Sequence, residues 1–398
     1  MVAAYHSIPI AAVLHAYQPP SQDPKILKRI VENCYVPVAE QLVSFPEIKI
    51  TLNINASLTE QLALDYPHVI AGYEELARNG QVEFLESGAY HPILPLISPK
   101  EAAYQIKLNH QINKEVFGNL WAPIGFWPPE LAVSYEVIKL VETLGFKYLI
   151  IPEIAIRSNS FAPPPLTTHL YYFTQTEDLY LVNRNREISN NISFKRYPAL
   201  SNAQEHFNSL HRSNPDGTLV WATDIETFGE HHKHYYRFFI ELLKLGETKT
   251  VSDLLTLPTK AVQEFRSASW STSEEDLYRG IPFPLWAYPG NAIHDLLNYH
   301  GDLISELAEF LLSLTPDETN DDVRHALKAV ARAQYSCSTW WASTKDHFSK
   351  TMIMKGFNAQ NAALLHILEV LDLGSQKSII IGLSNRLEKR LQKYLALM

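Results

Sequence analysis

Short apolar runs alternate with longer amphipathic stretches over the first two-thirds of the chain. The apolar or β-branched runs lie at residues 8–14, 48–54, 81–85, 124–127, 148–151 and 219–223. The intervening stretches repeat apolar residues every three to four positions, at residues 25–43, 58–79, 100–117, 134–144 and 231–245. This alternation predicts βα units on a parallel sheet, and six or so strands in sequence favour a barrel over an open sheet.

Two parts of the chain depart from this rhythm. Residues 159–215 contain a proline-rich run and then segments rich in tyrosine, asparagine and arginine, so we predict an insertion there. After residue 289, helical periodicity recurs at residues 292–314, 321–332, 352–371 and 375–397. The pattern therefore predicts a βα barrel domain over residues 1–289, with an insertion near 159–215, and a helical bundle over residues 290–398.

Composition narrows the class of protein. Of the 398 residues, 46% are hydrophobic and 19% charged, which is typical of a folded globular chain. The net charge is −9 and there is no long basic run, so nucleic-acid binding is not expected. The first residues lack the positive start of a secretory signal, and the run at 8–14 is too short to cross a bilayer. Two distant cysteines, Cys34 and Cys337, form neither a disulfide framework nor a zinc cluster. We therefore expect a cytoplasmic protein without membrane contact.

Two acidic residues follow predicted strands in aromatic surroundings. Glu130 ends the segment Gly-Phe-Trp-Pro-Pro-Glu at residues 125–130, and Asp224 follows the run Trp-Ala-Thr at 221–223. A pair of carboxyl groups is what glycosidic bond cleavage needs: one attacks the anomeric carbon and the other protonates the departing oxygen. Aromatic faces can bury the apolar side of a sugar ring.

Further polar side chains occupy similar places. His15 follows the first strand, Glu83 lies in the third, and His91 comes a few residues after it. In a βα barrel the carboxyl ends of the strands converge on one mouth, so we expect these groups to line one pocket. Each residue taken alone is explained as readily by a structural role, and the prediction depends on their joint placement.

Four motifs that carry these residues resemble those of glycoside hydrolase family 57. They are residues 15–19 (His-Ala-Tyr-Gln-Pro), residues 80–83 (Gly-Gln-Val-Glu) with 90–92 (Tyr-His-Pro), residues 127–130 (Trp-Pro-Pro-Glu) and residues 224–231 (Asp-Ile-Glu-Thr-Phe-Gly-Glu-His). Residues 268–270 and 334–341 resemble the entry to, and the body of, the helical part of the family. The resemblance is to the amylase-like branch, in a family that includes 4-α-glucanotransferases, amylopullulanases and branching enzymes.

The resemblance implies a fold, an activity and a set of site residues. The fold is an incomplete (β/α)7 TIM-like barrel followed by a C-terminal helical bundle that contributes to the substrate cleft. The activity is retaining cleavage of α-1,4 bonds in α-glucans or oligosaccharides, with Glu130 as nucleophile and Asp224 as general acid/base. No metal or cofactor is expected. The residues expected to bind substrate are His15, Glu83, His91, Trp127, Glu226, Trp270, Trp340 and Trp341.

The fifth motif departs from the family pattern. The family carries an acidic residue before its tryptophan, whereas Cys337 stands about where the acid belongs. A thiol binds sugar hydroxyls poorly, so the substrate preference is expected to differ.

Three alternatives remain open at this stage. The scaffold suits a 4-α-glucanotransferase or a branching-type transferase, in which a glucan hydroxyl replaces water. The altered fifth motif suits a carbohydrate-binding relative with impaired catalysis. A metal-dependent deacetylase or mannosidase is the third, although the first strand offers no His-x-Asp pair.

Overall fold

The fold is known from a computed structural model that describes residues 8–156, 166–176, 178–314, 320–343 and 348–398. Within these residues ten strands form one sheet: β1 (Ile8–Ala16), β2 (Ile50–Ile54), β3 (Val82–Glu86), β4 (Gly125–Phe126), β5 (Tyr148–Pro152), β6 (Leu170–Phe173), β7 (Tyr180–Arg184), β8 (Leu219–Asp224), β9 (Gly246–Lys249) and β10 (Thr259–Val262). The helices of the strand-containing part are α1 (Pro24–Ile30), α2 (Val36–Val43), α3 (Ala56–Asp65), α4 (Pro67–Arg78), α5 (Pro99–Phe117), α6 (Tyr135–Thr143), α7 (Arg186–Ser193), α8 (Leu200–Ser213), α9 (Tyr236–Leu243) and α10 (Glu274–Tyr278).

Seven strands curl into a barrel. The strands β8, β1, β2, β3, β4, β5 and β7 pair in that order, and every pair is parallel. A backbone hydrogen bond of 2.8 Å from the Asn185 amide to the Val220 carbonyl links the two ends of this series. The predicted incomplete (β/α)7 barrel is confirmed.

Alternate residues of each strand face the barrel interior and the helical layer. In β1, Ala11 and Val13 lie in the interior cluster, whereas Ile10 and Leu14 pack with the surrounding helices. Both faces are buried, which explains why the strand is an almost unbroken apolar run. Gly125 is required by close approach, because a Cβ at this position would lie 2.0 Å from the Tyr148 ring.

The segment predicted as an insertion contributes to the barrel itself. Within residues 159–215, β7 pairs in parallel with β5, and α7 packs against β8. The part that lies beside the barrel is β6, which runs antiparallel to β7 and also pairs with β10. The insertion prediction is therefore corrected for β7 and α7, which belong to the barrel, and the proline-rich run at 161–165 lies outside the described residues. The short, polar-ended β7 (Tyr-Leu-Val-Asn-Arg) gives little strand signal on its own.

The C-terminal part is helical, as predicted. It comprises α11 (Ala292–Leu314), α12 (Asp321–Ala333), α13 (Cys337–Trp340), α14 (Lys350–Val370) and α15 (Gln376–Leu397). It docks on the barrel through Glu60 of α3, which accepts from Lys328 at 2.7 Å and Arg332 at 3.1 Å, and through Gln105 of α5, which donates to the Ala331 carbonyl at 2.8 Å. The domain boundary at residue 289 stays a prediction. Across the described ranges, no helix is both long and apolar enough to span a bilayer.

Candidate active site

The predicted catalytic residues lie at one end of the barrel. Asp224 is the last residue of β8, and the parallel register places it opposite His15, the penultimate residue of β1. Glu130 follows β4, and His91 follows β3. All four therefore lie at the carboxyl ends of barrel strands, at the same mouth of the barrel.

Backbone strain is concentrated here. Glu130 has φ of 59° and His91 has φ of 60°, in the left-handed region that residues other than glycine rarely adopt. Such conformations persist only where the surrounding structure holds them. Trp270 holds Glu130 in this conformation through two hydrogen bonds. Its backbone amide donates to the Glu130 carbonyl at 3.1 Å, and its indole Nε1–H donates to Glu130 Oε2 at 2.8 Å.

The negative charge of Asp224 influences the ionisation of two nearby carboxyl groups. Burial, and then the negative charge of Asp224, raise the pKa of Glu130 to about 8, while hydrogen bonds from Trp270 and Ser336 oppose the shift. The same two causes raise the pKa of Glu226 to about 8, against hydrogen bonds from Tyr35, the backbone and Gln18. Glu130 and Glu226 are therefore both harder to ionise than a free glutamate.

A chain of hydrogen bonds joins the two histidines to the helical part. His15 Nδ1 lies 2.7 Å from Asn53 Oδ1, and His15 Nε2 lies 3.0 Å from His91 Nε2. His91 Nδ1 in turn lies 2.9 Å from Ser336 Oγ. Burial lowers the pKa of both imidazoles, that of His91 well below its usual value. Each neutral ring has one donor and one acceptor nitrogen, so when His15 Nδ1–H donates to Asn53, His91 Nε2–H donates to His15 and the Ser336 hydroxyl donates to His91 Nδ1.

The rings of these residues form a stack. His91 lies parallel to Tyr17, with ring centroids 3.9 Å apart, and His15 is stacked 5.2 Å from Trp127. Trp127 is fully buried beneath His15, and Trp270 meets it edge-on at 5.8 Å. Trp127 is thus placed to support the site from below rather than to offer a face to a sugar.

Glu83 is not brought beside His15. It lies in the lower half of β3, in register with Thr51 of β2, whereas His15 is in register with Asn53, two residues or about 6–7 Å further along the strands. Tyr148 donates to one carboxyl oxygen at 2.8 Å, and Thr51 and the Ser252 amide donate to the other at 3.0 and 3.2 Å. This placement is that of a partly buried structural carboxyl inside the barrel, which corrects the expectation that it lines the mouth.

Glu226 lies behind Asp224, in the turn that follows β8. Its Oε1 accepts from Gln18 at 2.9 Å and from the Tyr35 hydroxyl. The residue is buried. Glu226, in the fourth motif, thus bonds to Gln18 in the first motif. A substrate hydroxyl that bonded to Glu226 Oε1 would have to displace Gln18 or Tyr35.

The adjacent tryptophans meet edge to face, with ring centroids 4.8 Å apart, but they pack against different clusters, because neighbouring residues on a helix point about 100° apart. Trp340 packs against a cluster of Ile93, Ala132, Phe283 and Trp286, in which Ala132 follows Glu130 by two positions in the sequence. Trp341 packs against the core of the helical part. Cys337 lies 3.6 Å from the Tyr17 hydroxyl, and burial raises the pKa of its thiol to about 12. A neutral thiol thus stands where the family's acid was expected.

The structure adds site residues that the sequence did not indicate. Asn53 and Ser336 orient the histidines, and Arg184, the last residue of β7, stacks over the Trp270 ring at 5.4 Å. All three are polar residues at, or just beyond, the ends of secondary-structure elements, and only the strand pairing reveals their common location. Among the described residues, no group of three or more His, Cys, Asp or Glu side chains is arranged to hold a metal ion.

Comparison with known proteins identifies the family. The family model described as glycosyl hydrolase family 57 matches residues 6–269, well over half of the 398 residues. A protein named alpha-amylase from Pyrococcus horikoshii is 27% identical over 220 residues, which cover 54% of this chain but only 33% of that relative. The chain therefore matches about a third of the length of this curated relative.

Solved structures share the fold over nearly the whole chain. The 4-alpha-glucanotransferase from Thermococcus litoralis has a TM-score of 0.73 at 17% identity, covering 92% of this chain and 60% of that one. The family 57-type branching enzyme from Pyrococcus horikoshii has a TM-score of 0.69 at 15% identity, covering 98% and 96%. With the family model matched along both catalytic motifs, the chain belongs to glycosyl hydrolase family 57.

Proposed function

We propose that this protein is a retaining glycoside hydrolase or transglycosylase that acts on α-1,4 bonds of α-glucans. The observation that carries the proposal is the placement of two carboxyls at one barrel mouth: Asp224 ends β8, Glu130 follows β4, and the charge of Asp224 acts on Glu130. Two carboxyls at one mouth are the arrangement in which one serves as nucleophile and the other as acid, and the first step requires the proton to lie on Asp224 rather than on Glu130. The names of the relatives, alpha-amylase and 4-alpha-glucanotransferase, support the substrate class.

The reaction has two steps. In the first, ionised Glu130 attacks the anomeric carbon, the bond to the leaving oxygen breaks, and that oxygen takes the proton of Asp224. In the second, ionised Asp224 takes a proton from water or a glucan hydroxyl, whose oxygen displaces Glu130 from the anomeric carbon. The Trp270 indole, 2.8 Å from Glu130, holds the nucleophile's carboxylate through both steps.

Product analysis on maltooligosaccharides, starch and pullulan tests the proposal. Release of shorter products with retained configuration supports hydrolysis, and longer as well as shorter oligosaccharides indicate transfer. Binding of glucan without any new product would overturn the proposal in favour of a catalytically impaired relative, to which the neutral thiol of Cys337 gives some support.

Variants assign the two roles. Glu130→Gln should abolish turnover of every substrate. Asp224→Asn should slow natural glycosides strongly but spare glycosylation by substrates with good leaving groups, and azide should restore part of its turnover. The exposed residues Glu136 and Asp216 provide matched controls, since Glu136→Gln and Asp216→Asn make the same chemical change on the surface. Azide rescue of a nucleophile variant alone would contradict the role given to Asp224.

A further inference from the structure

Arg184 is a buried cation at the catalytic mouth that the two-carboxyl mechanism leaves unused. It ends β7 and is 5% exposed. Its Nε donates to the Ala222 carbonyl at 3.0 Å and its Nη2 to Asn190 Oδ1 at 3.0 Å. Both acceptors are neutral, so neither bond by itself requires a full positive charge. Burying such a charge is costly.

The surroundings show where that charge acts. Ala222 lies two residues before Asp224 on the neighbouring strand, so the guanidinium is held beside the end of β8. Burial and the nearby Arg186 lower the pKa of Arg184 to about 10, while the negative charges of Asp224 and Glu153 oppose this. The cation therefore interacts through space with the acid/base carboxyl.

Arg184 also reaches the second carboxyl, through an intermediary. Its guanidinium carbon lies 5.4 Å from the centroid of the Trp270 ring, within the range of a cation–π contact. The same indole donates to Glu130 at 2.8 Å. A cation over an indole face withdraws electron density from the ring, which makes its N–H a stronger donor. One side chain thus acts on both catalytic carboxyls.

We propose that Arg184 is a positioning residue for the catalytic pair: it holds the Trp270 indole against Glu130 and supplies the positive charge that lets each carboxyl ionise in its turn. The inference rests on the proposed function for its catalytic meaning. Glu130 must be ionised to attack, and Asp224 must be ionised to activate the acceptor. A fixed cation beside the end of β8, linked to Glu130 through the Trp270 indole, favours both states without becoming a proton donor itself.

Several other ionisable groups face this pair and contribute to its titration. They are His15, His91, Tyr17, Glu153, Arg186, Glu226 and Cys337. Because they remain in place when Arg184 is replaced, a shift between variants reports the arginine alone.

The test compares charge with shape in the full-length chain. Arg184→Gln keeps an amide donor for the Ala222 carbonyl but removes the charge. Arg184→Lys keeps the charge but loses the planar guanidinium group. Arg184→Met is a second neutral variant, to be used if the glutamine variant fails to fold. Arg196→Met, at an exposed arginine after α7, controls for loss of a remote charge. Thermal melts verify folding.

Two readouts are needed. The first is kcat/KM against pH on a maltooligoside with a good leaving group. The second is direct titration of the Glu130 carboxyl by carbon-13 NMR of protein labelled at the glutamate carboxyl carbon, with the signal assigned by its loss in Glu130→Gln. The NMR titration needs no turnover.

We expect the neutral variants to move the Glu130 titration and the acid limb of the rate profile to higher pH by about one unit, with Arg184→Lys and Arg196→Met close to the parent. Unshifted titration in a folded neutral variant overturns the role of Arg184, even if turnover falls. A shifted titration in a protein that turns over no glucan would keep the role of Arg184 and refute the proposed function instead.

Discussion

Trp270→Phe should move the pH dependence of catalysis without removing any acid or base. The substitution deletes the indole N–H that donates to Glu130 Oε2 at 2.8 Å, and it keeps an aromatic ring edge-on to Trp127. Burial and the charge of Asp224 raise the pKa of Glu130 to about 8, so its ionised form is disfavoured in the parent. The indole bond favours that ionised form, so its loss must raise the pKa further.

The size of the shift follows from the hydrogen bond. A hydrogen bond to a charged group is worth about 1.5–3 kcal/mol, which corresponds to about 1–2 pH units. We expect the acid limb of kcat/KM to move up by that amount, and activity near pH 6–7 to fall by about 10–100-fold. The assay is the pH–rate profile on an aryl maltooligoside, whose good leaving group reduces dependence on Asp224.

The chain offers a matched control. Trp121 is a fully buried tryptophan whose Nε1–H donates to the buried Glu86 carboxylate at 3.3 Å, outside the barrel interior. Trp121→Phe makes the same change and should reduce stability while leaving the pH profile unmoved. If Trp270→Phe leaves the acid limb in place, or Trp121→Phe moves it as far, the indole bond does not control the nucleophile.

Other predictions concern stability and binding. Folding raises the pKa of Glu130 from 4.5 to about 8, so the stability that its protonated form contributes is complete below pH 4.5 and is lost as pH rises through 8. In denaturant unfolding, the stability of Glu130→Gln should therefore rise by about 2–4 kcal/mol relative to that of the parent between pH 4.5 and 9. A stability difference that does not change with pH would contradict this prediction. Glu83→Gln should cost about 1–3 kcal/mol of stability with KM within about twofold of the parent; a large rise in KM with unchanged stability would restore Glu83 to the substrate site. Trp341→Ala should destabilise the fold by about 2–4 kcal/mol. Trp340→Ala should mainly weaken oligosaccharide binding, by about 0.5–1.5 kcal/mol on the scale of aromatic stacking. Melting curves measure the first effect and calorimetric titration the second, and equal effects for both variants would refute the division of roles.

The sequence by itself determined much of this protein because its strongest signals are local. Unbroken apolar runs such as β1 form where both faces of a strand are buried, and their alternation with helices is visible without any knowledge of pairing. The acidic residues that directly follow such runs, Glu130 and Asp224, were placed at the mouth because a strand end is itself a local feature. The helical C-terminal part was predicted for the same reason.

Tertiary structure decided the features that depend on which strands pair and on how deep in the barrel each side chain lies. Glu83 and His15 differ by two residues in register, a distance smaller than the uncertainty of a predicted strand boundary, and that difference moves Glu83 from the mouth into the barrel interior. The strand β7 has little signal of its own and becomes recognisable through its neighbour β5. Arg184 acquires a role only because β7 lies near the end of β8, so that a cation reaches two carboxyls contributed by distant parts of the chain. Local propensity fixes which elements form, whereas long-range packing fixes which side chains meet.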